Sequence, residues 1–520
     1  MFRKSLLIGL QAVAVLTLCC IAGCSHWQGG GESKAHAQAV DVTVDWNNVV
    51  RVSNTNATLQ VVVSPLMSRT SPIHNQVFQS LHDLGSDYVR YQGWLTYPKL
   101  VVAELEPPAN GKTSWDFSLL DPLAEDFAKA TEGHSTIWDL STIPQWMFKT
   151  TKPVPYPADP NEITWKYEQG TELRDPSMKE LGDYYARLAS WYTQGGLTDE
   201  YGKKHESRHH FTIPYWEVLN EPDLEHFTTP EQYTIRYDAI VSAVQKVSPQ
   251  TKFVGLALAE TSPNVAGFDI PRFFEYFLNH KNHRPGIPLD MISYHAYAET
   301  PPEEDQSAAP FSYFDQADQF LREVRYIEYI RKRLSPETRT TVDEFGSILA
   351  SEFGQMAPGY VFKPIYASYW NLSAALYAYT YGELASLGID ALGESALSQF
   401  PGFFPSVSIL DWKTGAPNAR YWALKLIHDH FGPGDKLVAT AVTANVPVYA
   451  QAFLTRDGRH KLLLVNKRER PSGISLRGLS AGSEEFLDET TGSGPPSTAQ
   501  INNGSLTIGG LGVAVIIAEP

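Results

Sequence analysis

From about Thr58 to Phe431 the chain repeats one pattern: a short apolar run, polar residues at its end, then an amphipathic stretch. Eight runs read as strands: Leu59–Val63, Tyr88–Tyr91, Ser135–Leu140, Tyr215–Leu219, Phe253–Leu258, Met291–His295, Thr340–Val342 and Ile389–Leu392. Helical periodicity falls between them, as at Pro230–Val247 and Ala317–Arg333. The first of these helices starts with Thr229 as N-cap, Pro230 at the first position and Gln232 at the third. Eight alternations over roughly 370 residues predict a (β/α)8 TIM barrel with long loops. An open doubly wound sheet would favour a glycine-rich phosphate loop after its first strand, and the sequence has none.

After Phe431 the pattern changes. Runs at Val446–Leu454, Lys461–Asn466, Ser505–Ile508 and Val513–Ala518 alternate apolar and polar positions between Asp-Gly, Pro-Ser-Gly and Asn-Gly turns. This predicts a C-terminal antiparallel β-sandwich over 434–520, behind a barrel at 58–433. Strand-like Val40–Val52, within the segment 40–57, is expected to pair with the sandwich.

The first residues point to export. Arg3 and Lys4 precede an apolar stretch, Leu6 to Ile21, that ends in Ile21-Ala22-Gly23-Cys24. Small residues before a cysteine fit a bacterial lipobox, so 1–24 reads as a lipoprotein signal with Cys24 lipidated. The alternative is an ordinary signal cut after Ala37 or Ala39. Gly/Ser/Ala/Gln-rich 25–39 reads as a flexible tether. The expected location is the bacterial cell envelope, with the lipid as the membrane attachment. Cys19, Cys20 and Cys24 are the three cysteines, so a mature chain lipidated at Cys24 has no free thiol. That excludes disulfides, thiolate catalysis and cysteine-ligated zinc.

Composition narrows the chemistry. The chain has 520 residues, 43% of them hydrophobic and 19% charged, enough to bury a large core. Its 42 Lys+Arg against 58 Asp+Glu give a net charge of −16, which argues against a nucleic-acid partner. Aromatics reach 12%, including 12 Trp and 26 Tyr, and suit a surface on which sugar rings stack.

In such a barrel the chemistry sits at the C-terminal ends of the strands. Those ends carry Arg90, Asp139, Asn220-Glu221, Glu260, His295 with Tyr297, Asp343-Glu344 and Glu394. A mouth ringed by carboxylates and aromatics suits hydrolysis of a glycosidic bond. One carboxylic acid protonates the leaving oxygen, and a second carboxylate attacks the sugar carbon or activates water. The fourth run stops abruptly at Asn220-Glu221-Pro222. Strict alternation puts Asn220 and Glu221 on opposite faces, so the strand must end or bulge for both to face the mouth. Glu217 shares Glu221's parity but lies a pleat deeper and reads as structural. The seventh run ends in Asp343-Glu344-Phe345-Gly346, and on chemistry alone either acid serves as nucleophile.

These features together resemble clan A retaining glycoside hydrolases, and within them glycoside hydrolase family 39, which includes β-xylosidases and α-L-iduronidases. The resemblance rests on Arg90-Tyr91-Gln92-Gly93, Trp115-Asp116-Phe117 with Asp121, Asp139-Leu140-Ser141 with Pro144, Trp216-Glu217-Val218-Leu219-Asn220-Glu221-Pro222, His295-Ala296-Tyr297, and Glu344 after strand seven. It implies Glu221 as acid/base and Glu344 as nucleophile. It also implies that Arg90 and Tyr297 hold the nucleophile charged, that Asn220 meets the sugar's 2-hydroxyl, and that His295 lines the site. Neither a cofactor nor a metal is implied. The chain departs from the family at Gln92, where histidine is usual, and at Asp343-Glu344-Phe345-Gly346. It also lacks a tryptophan after Leu392, where Glu394, Gln399 and Phe400 stand.

Trp94 and Trp146, after strands two and three, are candidate sugar-stacking walls, whereas Trp138 reads as core. The insertion Thr150–Arg174 reads as a lid or subsite wall. His205, His209 and His210 read as a solvated loop, and Glu303, Glu304 and Asp305 as an exposed one. The sequence therefore predicts a retaining, β-xylosidase-like glycosidase acting on oligo- or polysaccharides. The alternatives are a non-catalytic sugar-binding lipoprotein on the same barrel and a transglycosylase.

Overall fold

The computed structural model describes residues 39–152, 155–164, 170–262, 269–300, 308–355, 357, 359–443 and 446–519. The predicted lipobox with Cys24, most of the tether and the acidic stretch at 303–305 lie outside the described residues.

Eight strands pair in parallel with their chain neighbours and close on themselves: Asn56–Val62, Val89–Gln92, Thr136–Asp139, Tyr215–Glu217, Lys252–Leu258, Met291–Glu299, Arg339–Ile348 and Ala391–Glu394. They are strands one to eight of a TIM barrel. The outer helices form where the sequence marks them. Pro230–Val247 opens with a full capping box, in which Thr229 accepts from the Gln232 amide at 3.3 Å and the Gln232 side chain accepts from the Thr229 amide at 2.9 Å.

Nine further strands close into a second, sandwich-like sheet. Their order is Val40–Val52, Lys436–Val442, Val448–Leu454, His460–Asn466, Val513–Ala518, Ala481–Leu487, Ser497–Asn502, Ser505–Ile508 and Ser472–Arg477. All neighbours are antiparallel except the seam between Val40–Val52 and Ser472–Arg477. Strand His460–Asn466 explains how this sheet meets the barrel. Leu462 and Leu464 face the sandwich interior, while Leu463 and Val465 join the barrel's core. A strand buried on both faces needs an unbroken apolar run, and Leu462-Leu463-Leu464-Val465 supplies one.

Several boundaries differ from the sequence reading. Strand six runs to Glu299 rather than His295, and strand seven to Ile348 rather than Val342. Of the polar residues they add, Tyr297, Asp343 and Glu344 meet side-chain partners inside the barrel, whereas Glu299 is exposed. Strand four stops at Glu217 rather than Leu219, because Leu219 has a left-handed backbone with φ of 66°. The helix read as Ala317–Arg333 begins at Ala309. Four sandwich strands, Lys436–Val442, Ser472–Arg477, Ala481–Leu487 and Ser497–Asn502, escape the apolar pattern because much of each lies half-exposed or exposed.

Strand seven carries an irregularity that matters below. Its Thr341 pairs with Ser293 and its Glu344 with His295, so three steps on strand seven match two on strand six. Strand eight follows the same bulge closely: a Cβ on Gly393 would lie 2.6 Å from the Asp343 carbonyl oxygen. Neither backbone can yield without breaking the ladder. Gly393→Ala is therefore expected to lower stability by about 1–3 kcal/mol. Chemical denaturation checks this, and an unchanged midpoint would show that the two strands are not so tightly apposed.

Candidate active site

The site is built around one buried cation within strand two. Arg90 is 1% exposed, and its guanidinium donates to five oxygens. Nε reaches Glu217 at 2.5 Å, Nη1 reaches Gln60 at 2.9 Å and Glu344 at 2.6 Å, and Nη2 reaches Asp139 and Asn220, each at 2.8 Å. Asp343 lies 3.6 Å from Nε. Strands one, two, three and seven and the strand-four segment thus meet at one planar fork, a geometry that only arginine offers. Burial opposes the charge on Arg90, but Glu217, Asp139, Asp343 and Glu344 hold its pKa well above the usual value.

Two backbone departures bring the key acids to this fork. Left-handed Leu219 and Glu221, with φ of 66° and 39°, flank Asn220 and cancel the alternation that would separate Asn220 from Glu221. The Glu221 amide is held by the Ala257 carbonyl at 2.9 Å. On strand seven the bulge does the equivalent work, so that Asp343 and Glu344 both meet the interior network.

Glu344 is gripped at both oxygens. Arg90 donates to Oε1, and the Tyr297 hydroxyl lies 2.8 Å from Oε2. Tyr297 is itself tied to Ser395 Oγ at 2.6 Å, which accepts from Gln60 at 2.5 Å. Across the mouth, Glu221 Oε1 lies 2.9 Å from His295 Nδ1. His295 also lies 3.5 Å from Glu344 through Nδ1 and 3.5 Å from Asp343 through Nε2. One oxygen each of Glu221 and Glu344 and a nitrogen of His295 fall within 4.8 Å of one another.

Three ligand-type side chains thus meet, with acids on every side of one imidazole. Burial works against charge on His295, yet Glu344, Asp343 and Glu221 outweigh it and raise its pKa well above the ordinary value. A charged imidazole donates from both nitrogens.

Acids outnumber cations here, and protons make up the difference. Burial lifts Glu217 well above the carboxylate range against the pull of Arg90, with Asp343 and Asp139 adding to the shift. Burial lifts Asp139 to about 7. Burial also disfavours charge on Asp343, but Arg90 and His295 prevail and lower its pKa. Glu217 therefore holds the proton and Asp343 the charge.

The other residues singled out in the sequence are distributed as follows. Asn220 accepts from Arg90 and donates to Glu225 at 2.8 Å. Trp94 joins the site by donating to the same Glu225 oxygen at 2.6 Å, and its ring lies 5.1 Å from that of Phe403. Gln92 is buried at the end of strand two, in register with Asp139. Glu394 is not gathered into the mouth: it is fully buried and bound to Arg420 at 2.5 Å. Trp146 lies elsewhere as well, donating to the Glu104 carbonyl at 2.8 Å. Trp138 is buried among Tyr91, Phe127 and Tyr192. The histidine loop is less solvated than its sequence suggests, because His209 packs on Tyr192 and Phe211 and reaches Asp121 at 3.2 Å. Gln60, Glu225 and Ser395 belong to the site and were not picked out from the sequence. Only Gln60 leaves a signal, as a lone polar residue inside an apolar run.

Comparison with known proteins agrees with this arrangement. The model of Glycosyl hydrolases family 39 matches residues 46–336. No curated protein matches the chain. Among solved structures, the chain is similar to the family 51 arabinofuranosidase from Xanthomonas axonopodis pv. citri, with a TM-score of 0.62 and 12% identity over 92% of this chain and 100% of that one. It is also similar to a family 30 endoxylanase from Clostridium papyrosolvens C71, with a TM-score of 0.56 and 13% identity over 92% and 100% of the two chains. A bifunctional glucanase-xylanase from a metagenome library gives 0.58 and 14% over 92% and 99%. At these identities the likeness is one of fold.

Removing the central cation tests the network. Arg90→Met leaves buried carboxylates without their partner and is expected to cost about 3–5 kcal/mol. Asp139 and Glu217 already bind protons more tightly folded than unfolded. Each therefore costs stability as pH rises from about 4 toward its raised folded value. The deficit of the variant should accordingly be largest at neutral pH and shrink toward pH 5. Denaturant titrations of both proteins across that range check it, and a pH-independent deficit would refute the account.

Proposed function

Because the chain belongs to glycosyl hydrolase family 39 and is a glycosidase, we propose that it works with retention, through a covalent glycosyl intermediate on Glu344. The observation that carries this reading is the closeness of Glu221 and Glu344, whose oxygens approach within 4.8 Å. Retaining enzymes hold their two carboxyls about 5–5.5 Å apart, whereas inverting enzymes need about 6.5–9.5 Å to admit a water.

In the first step a Glu344 oxygen attacks the anomeric carbon while the bond to the leaving oxygen breaks. Glu221 gives that oxygen its proton. In the second step Glu221, now a carboxylate, takes a proton from water, whose oxygen displaces Glu344 from the same carbon. Arg90 and Tyr297 orient Glu344 and favour its charge before attack. When the ester forms and that charge disappears, Arg90 keeps four other acceptors, so the network survives the cycle. Imidazolium His295 occupies one oxygen of Glu221 and leaves the other to exchange the proton.

For the substrate we propose a β-xylosidase-like action on oligo- or polysaccharides. Family 39 includes β-xylosidases, and the structurally similar proteins include an endoxylanase and an arabinofuranosidase. Trp94, set between Glu225 and Phe403, supplies a ring beside Asn220 against which a sugar can pack.

The adjacent acids of strand seven give a direct test. Glu344→Gln is expected to abolish turnover even of aryl xylosides with good leaving groups. Asp343→Asn should retain measurable turnover, because it alters a charge behind His295 and leaves the attacking oxygen in place. The reverse result in steady-state assays would name Asp343 as the nucleophile.

Glu221→Ala separates the two steps. Hydrolysis of substrates with poor leaving groups should fall by roughly 10²–10⁴-fold, the usual worth of a general acid. Activated aryl glycosides should still load the enzyme and accumulate the intermediate. Added azide, which needs no general base, should then release a glycosyl azide with the substrate's anomeric configuration, readable by NMR. Equal losses for all leaving groups, with no azide product, would exclude this role.

A further inference from the structure

The loop after strand four comes back to the site through Glu225. The Leu224 and Glu225 amides both donate to the Glu221 carbonyl, at 2.9 and 2.7 Å, so Glu225 rides on the same tight turn as Glu221. Its Oε1 accepts two hydrogen bonds, from Asn220 Nδ2 at 2.8 Å and from Trp94 Nε1 at 2.6 Å. One oxygen thereby fixes two other side chains. Asn220 Oδ1 already accepts from Arg90, so its amide can face only one way and keeps one N–H to give. The Trp94 ring is held at its N–H and lies beside Phe403.

The second oxygen of Glu225 is differently placed. Oε2 has no hydrogen-bond partner among the described residues, yet it is not sealed from water, because Glu225 is only half-buried. Neither catalytic step uses this carboxyl. Arg90 sets the order in which the groups around it meet a sugar. It holds Glu344 on Nη1 and Asn220 on Nη2, and Glu225 lies one hydrogen bond beyond Asn220. With Glu344 at the anomeric carbon, Asn220 faces the hydroxyl on the next carbon and Glu225 the hydroxyl after that. Burial, reinforced by Glu221, pushes the pKa of Glu225 well above the usual range. A hydroxyl both donates and accepts, so the contact holds whether or not Oε2 carries a proton.

We propose that Glu225 is a specificity-determining residue, which binds the 3-hydroxyl of the sugar under attack through Oε2 while its other oxygen sets Asn220 and Trp94. The inference rests on the glycosidase reading and names a determinant of which sugar that site takes.

Steady-state assays with para-nitrophenyl β-D-xyloside and its 3-deoxy and 4-deoxy analogues test it. The ratio of kcat/KM for the parent glycoside to that for each analogue cancels any general loss of activity. Glu225→Ala should lower the 3-deoxy ratio by roughly tenfold or more, because a site shaped to bond a hydroxyl discriminates strongly against its absence. The 4-deoxy ratio should move by less than about threefold. Glu225→Gln offers an oxygen to Asn220 and Trp94 and an N–H to the hydroxyl, and should hold both ratios within about threefold of the wild type. If the alanine variant does not fold, Glu225→Met, which fills the same space without hydrogen-bonding oxygens, decides in its place. An unmoved 3-deoxy ratio, or equal movement of both ratios, would overturn the proposal and spare the glycosidase mechanism. A wild type that cleaves no aryl glycoside would fell the glycosidase reading itself, and this inference with it.

Discussion

A single guanidinium, taken almost wholly out of water, sets the terms for this molecule. An arginine buried alone would be prohibitively costly. Arg90 is tolerated because five carboxyl or amide oxygens from four other segments converge on it. The dependence runs both ways, since those acids are tolerated only because Arg90 is there. Closure of the barrel at this level and the aim of Glu344 are therefore one physical fact. The same cation that joins the strands fixes the carboxylate proposed to attack the sugar.

The second constraint is the alternation of a β-strand, which the site must break twice. At strand four the break is two left-handed residues, Leu219 and Glu221, beside Pro222. At strand seven it is an extra residue. The consequences differ. The first places an amide and an acid side by side at the mouth. The second puts two acids in one network: Glu344 and Asp343 together favour charge on His295, and Glu344 alone also meets Tyr297. Directly before Glu344 this chain carries a second charge, on Asp343, which Arg90 and His295 favour. Protonated Glu217 beneath it makes that charge tolerable.

Much of this was legible in the sequence. The eight strands and the capped helix at Thr229 follow from apolar period and cap chemistry, which are local. Glu221, Glu344, Arg90, His295 and Tyr297 were found because each sits at the end of an apolar run. What escaped depends on contacts between distant segments. Strand seven looked short because Asp343 and Glu344 read as the start of a loop, and nothing local says that a buried arginine 250 residues away makes them interior. Glu394 looked like a mouth residue by position, but Arg420, from a later helix, claims it. Ser395 and Glu225 leave no trace, since a serine after a strand and a glutamate in a loop are ordinary until their partners are known. The half-exposed sandwich strands were missed because a strand with one wet face and several small residues has no distinctive composition.

The strand buried on both faces, His460–Asn466, bears on how such a protein can evolve. An accessory domain joined by a linker can be lost, swapped or duplicated by recombination, because each part keeps its own solubility. Here Leu463 and Val465 are core to the barrel while Leu462 and Leu464 are core to the sandwich. The segment Val40–Val52, encoded ahead of the barrel, is a strand of the distal sheet. A cut anywhere near Phe431 strips one body of its apolar cover and the other of a strand. The two parts are therefore inherited as a single unit, and new specificity has to arise in the loops of the catalytic face rather than by trading modules.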